Sequence, residues 1–374
     1  MNNIYKYTPK NSSQELYIKN LDGESSLTVV SESGEIETIL ELIPAMLHNK
    51  VIQLDQSADA VFIDNISHIQ EIYSQWDERL KRVPLKANTC ITKGTGKYVA
   101  SFFTGGVDSF YTFLKNKREI THLVFVHGYD VALNDSTLRN EVSKRLKVIA
   151  AEFDTEVIEL ESNARTYLEK HVLWGPIAHG LALSIVMHSL SSHFKKFFIP
   201  STHTYSELFP WGSHPILDHL WGTSNMRVVH DGCEASRVEK VEKISNYQVA
   251  LDNLRVCWEN PSSQYNCGRC EKCIRTKINL HACNALDKCN AFDVRELEYE
   301  LIRQLEITDE NSRSFIRQNL TYIKKNNPDK KLEKALTHVL ERWNILYKFK
   351  QLVPKQTKDK LKARFSYIKD ISSR

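Results

Sequence analysis

The sequence predicts an α/β protein built on a doubly wound parallel sheet, and three observations carry that expectation. From Lys97 onward, short apolar runs alternate with longer stretches of helical apolar spacing. The runs are close to continuous in apolar residues, as strands covered on both faces are. The first run ends in a glycine pair ahead of a helix, Thr104-Gly105-Gly106.

Taken in order, Tyr98–Phe103 is the first of these strands and Val107 to Lys117 the helix after it. Leu123–Val126 follows, ending in His127-Gly128, and Ser136 opens an amphipathic helix towards Phe153. Glu156–Leu160 is the third strand, Gly175–Phe194 the next helix and Phe197–Pro200 the fourth strand. Arg227–His230 and Leu254–Trp258 read as fifth and sixth strands, with a helix from Ser236 to Ile244 between them. Ahead of this rhythm, residues 1–95 read as an N-terminal α+β extension. Its β-type runs are Glu15–Ile18, Ser26–Val30 and Val51–Leu54, with turn signals at Asp22-Gly23 and Ser33-Gly34 and a helical pattern from Ile66 to Leu80. The remaining expected divisions are an α/β domain over 96–256, a cysteine element over 257–290 and a helical, basic region over 291–374.

The chain has 374 residues, ordinary charge at 26 % and aromatics at 10 %, which exclude a disordered, collagen-like or disulfide-stapled polypeptide. No run approaches the roughly 18 apolar residues of a membrane span. Met1 to Ser13 lacks the apolar core of a secretory signal, so a cytoplasmic location is expected. Net charge is +4, and Lys348 to Arg374 alone carries nine Lys or Arg against two Asp, leaving the body slightly acidic. That tail is either a solvated helix or a contact for RNA, anionic lipid or an acidic partner.

Thr104-Gly105-Gly106-Val107-Asp108-Ser109 has the composition of an anion-binding loop. Glycines let the backbone approach an anion, and the new helix aims free N–H groups and its positive end at it. Thr104 and Ser109 add hydroxyls. Asp108 is negative, which fits either Mg²⁺ bridging it to phosphate or capping of loop N–H groups. The hexapeptide resembles the SGGxDS loop of the N-type ATP pyrophosphatases, the PP-loop family, with Thr104 in place of the usual Ser. The resemblance implies an adenine nucleotide alpha hydrolase-like (HUP-type) fold that binds Mg·ATP. It implies cleavage between the α and β phosphates, with adenylation of a substrate oxygen before a nucleophile displaces AMP. Gly105, Gly106 and Ser109 would then hold the β and γ phosphates, Asp108 would orient loop or metal, and His127 would lie where adenine is placed.

Cys257, Cys267, Cys270 and Cys273 fall within 17 of the chain's positions. In a reducing compartment such spacing points to metal, with four thiolates suiting tetrahedral Zn²⁺ and an iron–sulfur cluster as the alternative. A PP-loop followed by this array resembles the 7-cyano-7-deazaguanine synthase family of the queuosine pathway, over about residues 97 to 285. The resemblance implies a ligase that activates a small carboxylate, of deazaguanine type, and joins ammonia to it as an amide or nitrile. Relatives that transfer sulfur or an amine to tRNA or to a polypeptide, in defence or natural-product pathways, are the alternative. A sulfur-transferring member needs a catalytic thiol, for which Cys233 is the candidate. A non-enzymatic zinc-containing binding module is the third reading, and a homodimer is compatible with any of them.

Between the two motifs, His203, Tyr205, Trp211, Ser213 and His214 follow the fourth strand, where open α/β sheets bind ligands. Stacking and hydrogen-bonding groups beside rigid prolines suit a substrate pocket; Trp211 and Phe209 as core residues are the bland reading. Arg237 or Lys240 would neutralise departing pyrophosphate.

Overall fold

The computed structural model describes residues 3–10, 12–22, 27–91 and 96–352, which fall into two compact units, Met1–Arg295 and Glu296–Arg374. In chain order the first unit contains β1 (Ile4–Tyr7), β2 (Leu16–Asn20), α1 (Gly34–His48), α2 (Ala60–Trp76), β3 (Tyr98–Phe102), α3 (Val107–Asn116), β4 (His122–His127) and α4 (Ser136–Phe153). It continues with β5 (Glu156–Ser162), α5 (His179–Ser189), β6 (Phe194–Pro200), β7 (Arg227–Asp231), α6 (Arg237–Ile244), α7 (Gln248–Asn253) and α8 (Glu271–Ala282).

The seven strands form one sheet in the order β1-β2-β5-β4-β3-β6-β7. The five from β3 to β7 are parallel, with Ala100 opposite His122, Val126 opposite Leu160, Ala100 opposite Phe197 and Ile199 opposite His230. Their order is third, second, first, fourth, fifth, which makes the sheet doubly wound. The order reverses between β3 and β6, and such a switch point opens a crevice beyond the carboxyl ends of the strands.

Strand periodicity divides the side chains between two faces. Ala100, Phe102, Val124, Val126, Ile158, Leu160, Phe197 and Ile199 join a core with α1, α2 and α5. On the opposite face Phe103 meets Phe110 and Phe113 of α3 edge-on, with ring centres 4.9 and 6.0 Å apart. Phe113 in turn meets Phe153 of α4. Helices start where side chains can cap them: Ser33 Oγ accepts from Ile36 N, and Asp135 accepts from Leu138 N at 3.0 Å.

The N-terminal α+β extension is continuous with this sheet. β1 pairs antiparallel with β2, and β2 pairs antiparallel with β5 through Ile18 and Ser162. α1 escapes the sequence reading although Ile36, Ile39, Leu40, Ile43 and Met46 recur at helical spacing; Pro44 inside it reads as a helix break. α2 begins six residues before the expected Ile66, since Asp59 accepts from Val61 N and Phe62 N.

Three expected elements differ. Of the run Ser26–Val30, Ser26 lies outside the described residues and the rest is no strand: Thr28 N donates to His193 Nε2 and Val30 N to Ser189 O. Gly175–Phe194 is broken, a single wide turn over Trp174–Ala178 preceding α5, and Phe194 already opens β6. Leu254–Trp258 is an extended strap outside the sheet, because its N–H groups go to Gly105 O and the Asn266 side chain.

The second unit contains α9 (Tyr299–Gln304), α10 (Glu310–Asn326) and α11 (Lys330–Leu352). Leu332, Ala335, Leu336, Val339 and Trp343 form the buried stripe of α11 at helical spacing. Asp309 caps α10 by accepting from Ser312 N at 2.7 Å. Most of the basic tail, 353–374, lies outside the described residues. Among the described residues no helix is long and apolar enough to cross a membrane.

Candidate functional site

The loop after β3 lies at the switch point. Gly105 adopts φ +74°, a left-handed conformation that side chains disfavour. Gly106 is the N-cap of α3 and supplies no side-chain cap, so its first-turn N–H groups keep their donor capacity. Ser109 Oγ donates to Gly106 O at 3.0 Å, Val107 is core, and Thr104 is exposed. The strap closes over this turn: Arg255 N donates to Gly105 O at 2.8 Å.

Cations gather beneath the loop. A capping box between Ser236 and Glu239 starts α6 and sets Arg237 and Lys240 three residues apart on one face. Arg237 Nη1 lies 3.0 Å from Asp108 Oδ2, and Lys240 Nζ 3.2 Å from Asp108 Oδ1. Burial works to raise the Asp108 pKa, but Lys240 and then Arg237 outweigh it and hold the carboxyl at about 2. Lys240 Nζ also donates to Ser201 O at 2.5 Å. Arg275 of α8 is buried and pairs with Glu271 at 3.3 Å. Arg255, also buried, bonds neutral oxygens of Asn260 and Asp130. The nearby acids Asp231 and Glu234 are held by Lys115 at 2.9 and 2.5 Å. Among the described residues, four buried cations, Arg237, Lys240, Arg255 and Arg275, thus gather beside a loop with donor capacity.

Both Asp108 oxygens face cations, one Arg237 and the other Lys240. Lys240, Arg255 and Arg275 complete the cation cluster. Arg255 and Arg275 carry no local signal as anion ligands, since only the tertiary fold brings them here.

A second group lies at the carboxyl ends of β6 and β7. His203 is buried against Phe209 and Trp211, with ring centres 4.8 and 6.2 Å away. Burial pushes its imidazole down to about 4, so the ring is neutral near pH 7. Trp211 packs on Gly175 so closely that a Cβ there would come within 2.3 Å of the indole. Asp218, fully buried, accepts from Ser213 Oγ at 2.7 Å and from His214 N at 3.1 Å. Asp218 Oδ2 also lies 2.7 Å from His230 Nδ1. Ser213 and His214 are therefore gathered on one carboxylate, whereas the Tyr205 side chain is 63 % exposed. His127 is buried on β4 with Nε2 2.9 Å from Glu159.

The cysteine element packs beside the strap. Asn266 staples it, accepting from Val256 N and Cys257 N and donating to Leu254 O and Ala291 O. Gly268 turns the chain with φ +71°, and Cys270 stands at the N-cap position of α8. The four sulfurs all lie within 4.8 Å of one another, with Cys267–Cys273 and Cys257–Cys270 at 3.9 Å. Zn–S bonds of about 2.3 Å in a tetrahedron place sulfurs about 3.8 Å apart, so the four cysteines fit a metal ion such as zinc. Cys283 and Cys289 lie elsewhere, contacting Val238 O and Leu251 O.

Fold and site together define an α/β protein with a mostly parallel sheet, a cation-lined glycine loop at its switch point and a four-cysteine cluster able to hold metal. No family model, curated protein or solved structure matches the chain.

Proposed function

We propose that the chain is an ATP-dependent C–N ligase of the PP-loop type with a HUP-type sheet, which adenylates a small carboxylate and passes the acyl group to ammonia or another amine. The observation that carries this reading is the gathering of buried cations, Arg237, Lys240 and Arg275, around Asp108 at the N-terminus of α3. Backbone N–H groups at a glycine loop and helix start bind phosphate, and several fixed cations beside them suit the charges of pyrophosphate as it leaves. In this reading the α3 N-terminus, Gly105, Gly106 and Ser109 hold the β and γ phosphates. Arg237 and Lys240, fixed by Asp108, take up charge as the α–β bond breaks. Both Asp108 oxygens are paired, so Asp108 does not fit as a protein ligand for Mg²⁺, which enters with ATP as part of the substrate.

His203, Trp211 and the group on Asp218 lie at the adjoining strand end and suit a flat, hydrogen-bonding acceptor such as a deazaguanine carboxylate. Zinc on the four cysteines would tie the strap, and Arg255 with it, to the start of α8, which carries Arg275.

Phosphorus NMR of the full chain with Mg·ATP, ammonium and a panel of carboxylates including 7-carboxy-7-deazaguanine tests the reading. AMP and pyrophosphate appearing with one acceptor support it. ADP and phosphate contradict it. No turnover with the panel, and none when tRNA or a polypeptide N-terminus is offered, favours a binding module.

A further inference from the structure

Arg255 differs from the other cations of the site in what it contacts. Arg237 and Lys240 pair with Asp108, and Arg275 with Glu271. Arg255 is 4 % exposed, and among the described residues no carboxylate forms an ion pair with it. Nη2 donates to Asn260 Oδ1 at 3.0 Å and faces Asp130 O at 3.4 Å, while Nε is enclosed without a hydrogen-bond partner. A guanidinium is always charged and carries several N–H donors. Burying one among neutral oxygens, with a donor unmatched, is costly until an anion takes up the charge.

The backbone fixes where this charge sits. Arg255 N donates to Gly105 O at 2.8 Å, and a Cβ on Gly106 would come within 3.3 Å of Arg255 O, so the strap lies directly on the glycine turn. From there the side chain reaches the loop after β4, where Asp130 O also accepts from Asn260 Nδ2 at 2.9 Å. Asn260 joins loop and guanidinium through opposite ends of one amide, in a left-handed conformation (φ 46°) that asparagine tolerates. In the sheet, β4 lies on one side of β3, and β6 and β7 on the other. Arg237 and Lys240 follow β7, and Lys240 bonds Ser201 O after β6. The glycine turn is therefore flanked by cations held on Asp108 towards β6 and β7, and by Arg255 towards β4.

We infer that Arg255 is a catalytic residue that holds the α-phosphate of the nucleotide, separately from the cations that receive pyrophosphate. This rests on the ligase reading above. There pyrophosphate lies on the turn with Arg237 and Lys240, and the acceptor at the ends of β6 and β7. That leaves the β4 side for the nucleoside and the phosphate attached to it. A phosphate there meets a planar fork of N–H groups that suits its oxygens bidentately. The acceptor's carboxylate oxygen bonds to the α-phosphorus, the bond to the bridging oxygen breaks, and pyrophosphate leaves with that electron pair. Arg255 holds the non-bridging α-oxygens throughout and stays with the adenylate once pyrophosphate has gone. The cations thus divide the triphosphate into the part transferred and the part released.

Calorimetry on the full, metal-loaded chain tests this with AMP, adenosine and inorganic pyrophosphate as separate probes. Arg255→Gln should bind AMP about tenfold or more weakly, whereas adenosine, which lacks the phosphate, and pyrophosphate should change by less than about threefold. Arg237→Gln should do the reverse, losing affinity for pyrophosphate and keeping it for AMP. Should the Arg255 variant fail to fold, Asn260→Ala keeps the arginine and removes its acceptor; AMP should then weaken by about threefold, with adenosine unchanged. AMP affinity unchanged in either variant overturns the inference, as does adenosine or pyrophosphate falling as far as AMP. A wild type that binds pyrophosphate but not AMP overturns it too. All of these leave the proposed phosphate site on the glycine turn standing. A wild type that binds none of AMP, ATP and pyrophosphate defeats the ligase reading itself.

Discussion

Replacing Asp108 by Asn removes a carboxylate that both Arg237 and Lys240 contact. Its side chain is 20 % exposed, and its pKa falls from 3.8 to about 2 in the fold. A shift of that size corresponds to about 2.5 kcal/mol of stability. Arg237 and Lys240 are left buried without their partner, which adds to the loss, so Asp108→Asn should cost about 2 to 4 kcal/mol at pH 7. The sign with pH follows from the depressed folded pKa. The stabilisation is full above pH 3.8 and disappears as pH falls through about 2. Urea unfolding curves of both proteins at pH 7 and at the lowest pH where each still folds measure the difference. The gap should narrow towards acid. Inorganic pyrophosphate should raise the melting temperature of the wild type through the same cations. A stability change below about 0.5 kcal/mol at pH 7, or a gap that widens on acidification, would refute the ion-pair account.

Further outcomes follow from other parts of the site. Arg237→Gln and Lys240→Gln should each weaken pyrophosphate binding about tenfold or more by calorimetry, since each removes a charge-assisted contact; unchanged affinity would detach the cations from phosphate. His230 carries a pKa raised to about 9, burial pulling it down and the Asp218 bond more than offsetting that. Its contribution is full below pH 6.5 and lost as pH rises through about 9, so wild-type stability should decline there and Asp218→Asn should flatten the decline. Cys270→Ser should release bound metal, read by elemental analysis, and weaken pyrophosphate binding as Arg275 and Arg255 lose their frame. Gly175→Ala should destabilise by about 1 to 3 kcal/mol in urea unfolding, because its Cβ meets Trp211 and overpacks the junction.

The glycine loop and the cysteine array are legible because each is local: the residues that act together lie within a few positions, and spacing alone states the chemistry. The strands around β3, β4 and β5 are legible for a related reason, their apolar runs being bounded by turn residues. Leu254–Trp258 misleads because Leu254 and Val256 are both buried, as in a strand, yet its hydrogen bonds run to Gly105 and Asn266. α1 is masked by Pro44, which reads as a helix break, although its apolar positions recur at helical spacing. The pair of Asp218 and His230 joins a turn to the end of β7, and Arg255 and Arg275 come from the strap and α8. No pattern of spacing links these residues; the sheet's winding brings them to the same strand ends. Asp108 shows the limit most plainly, since its two ion-pair partners lie more than 100 residues away in sequence.

The central claim is that a carboxylate oxygen attacks the α-phosphate of ATP. The most direct measurement supplies the accepting carboxylate labelled with ¹⁸O and follows the label by phosphorus NMR and mass spectrometry. One labelled oxygen in AMP, with none in pyrophosphate, is the predicted result; label in phosphate, or ADP as product, would contradict the account.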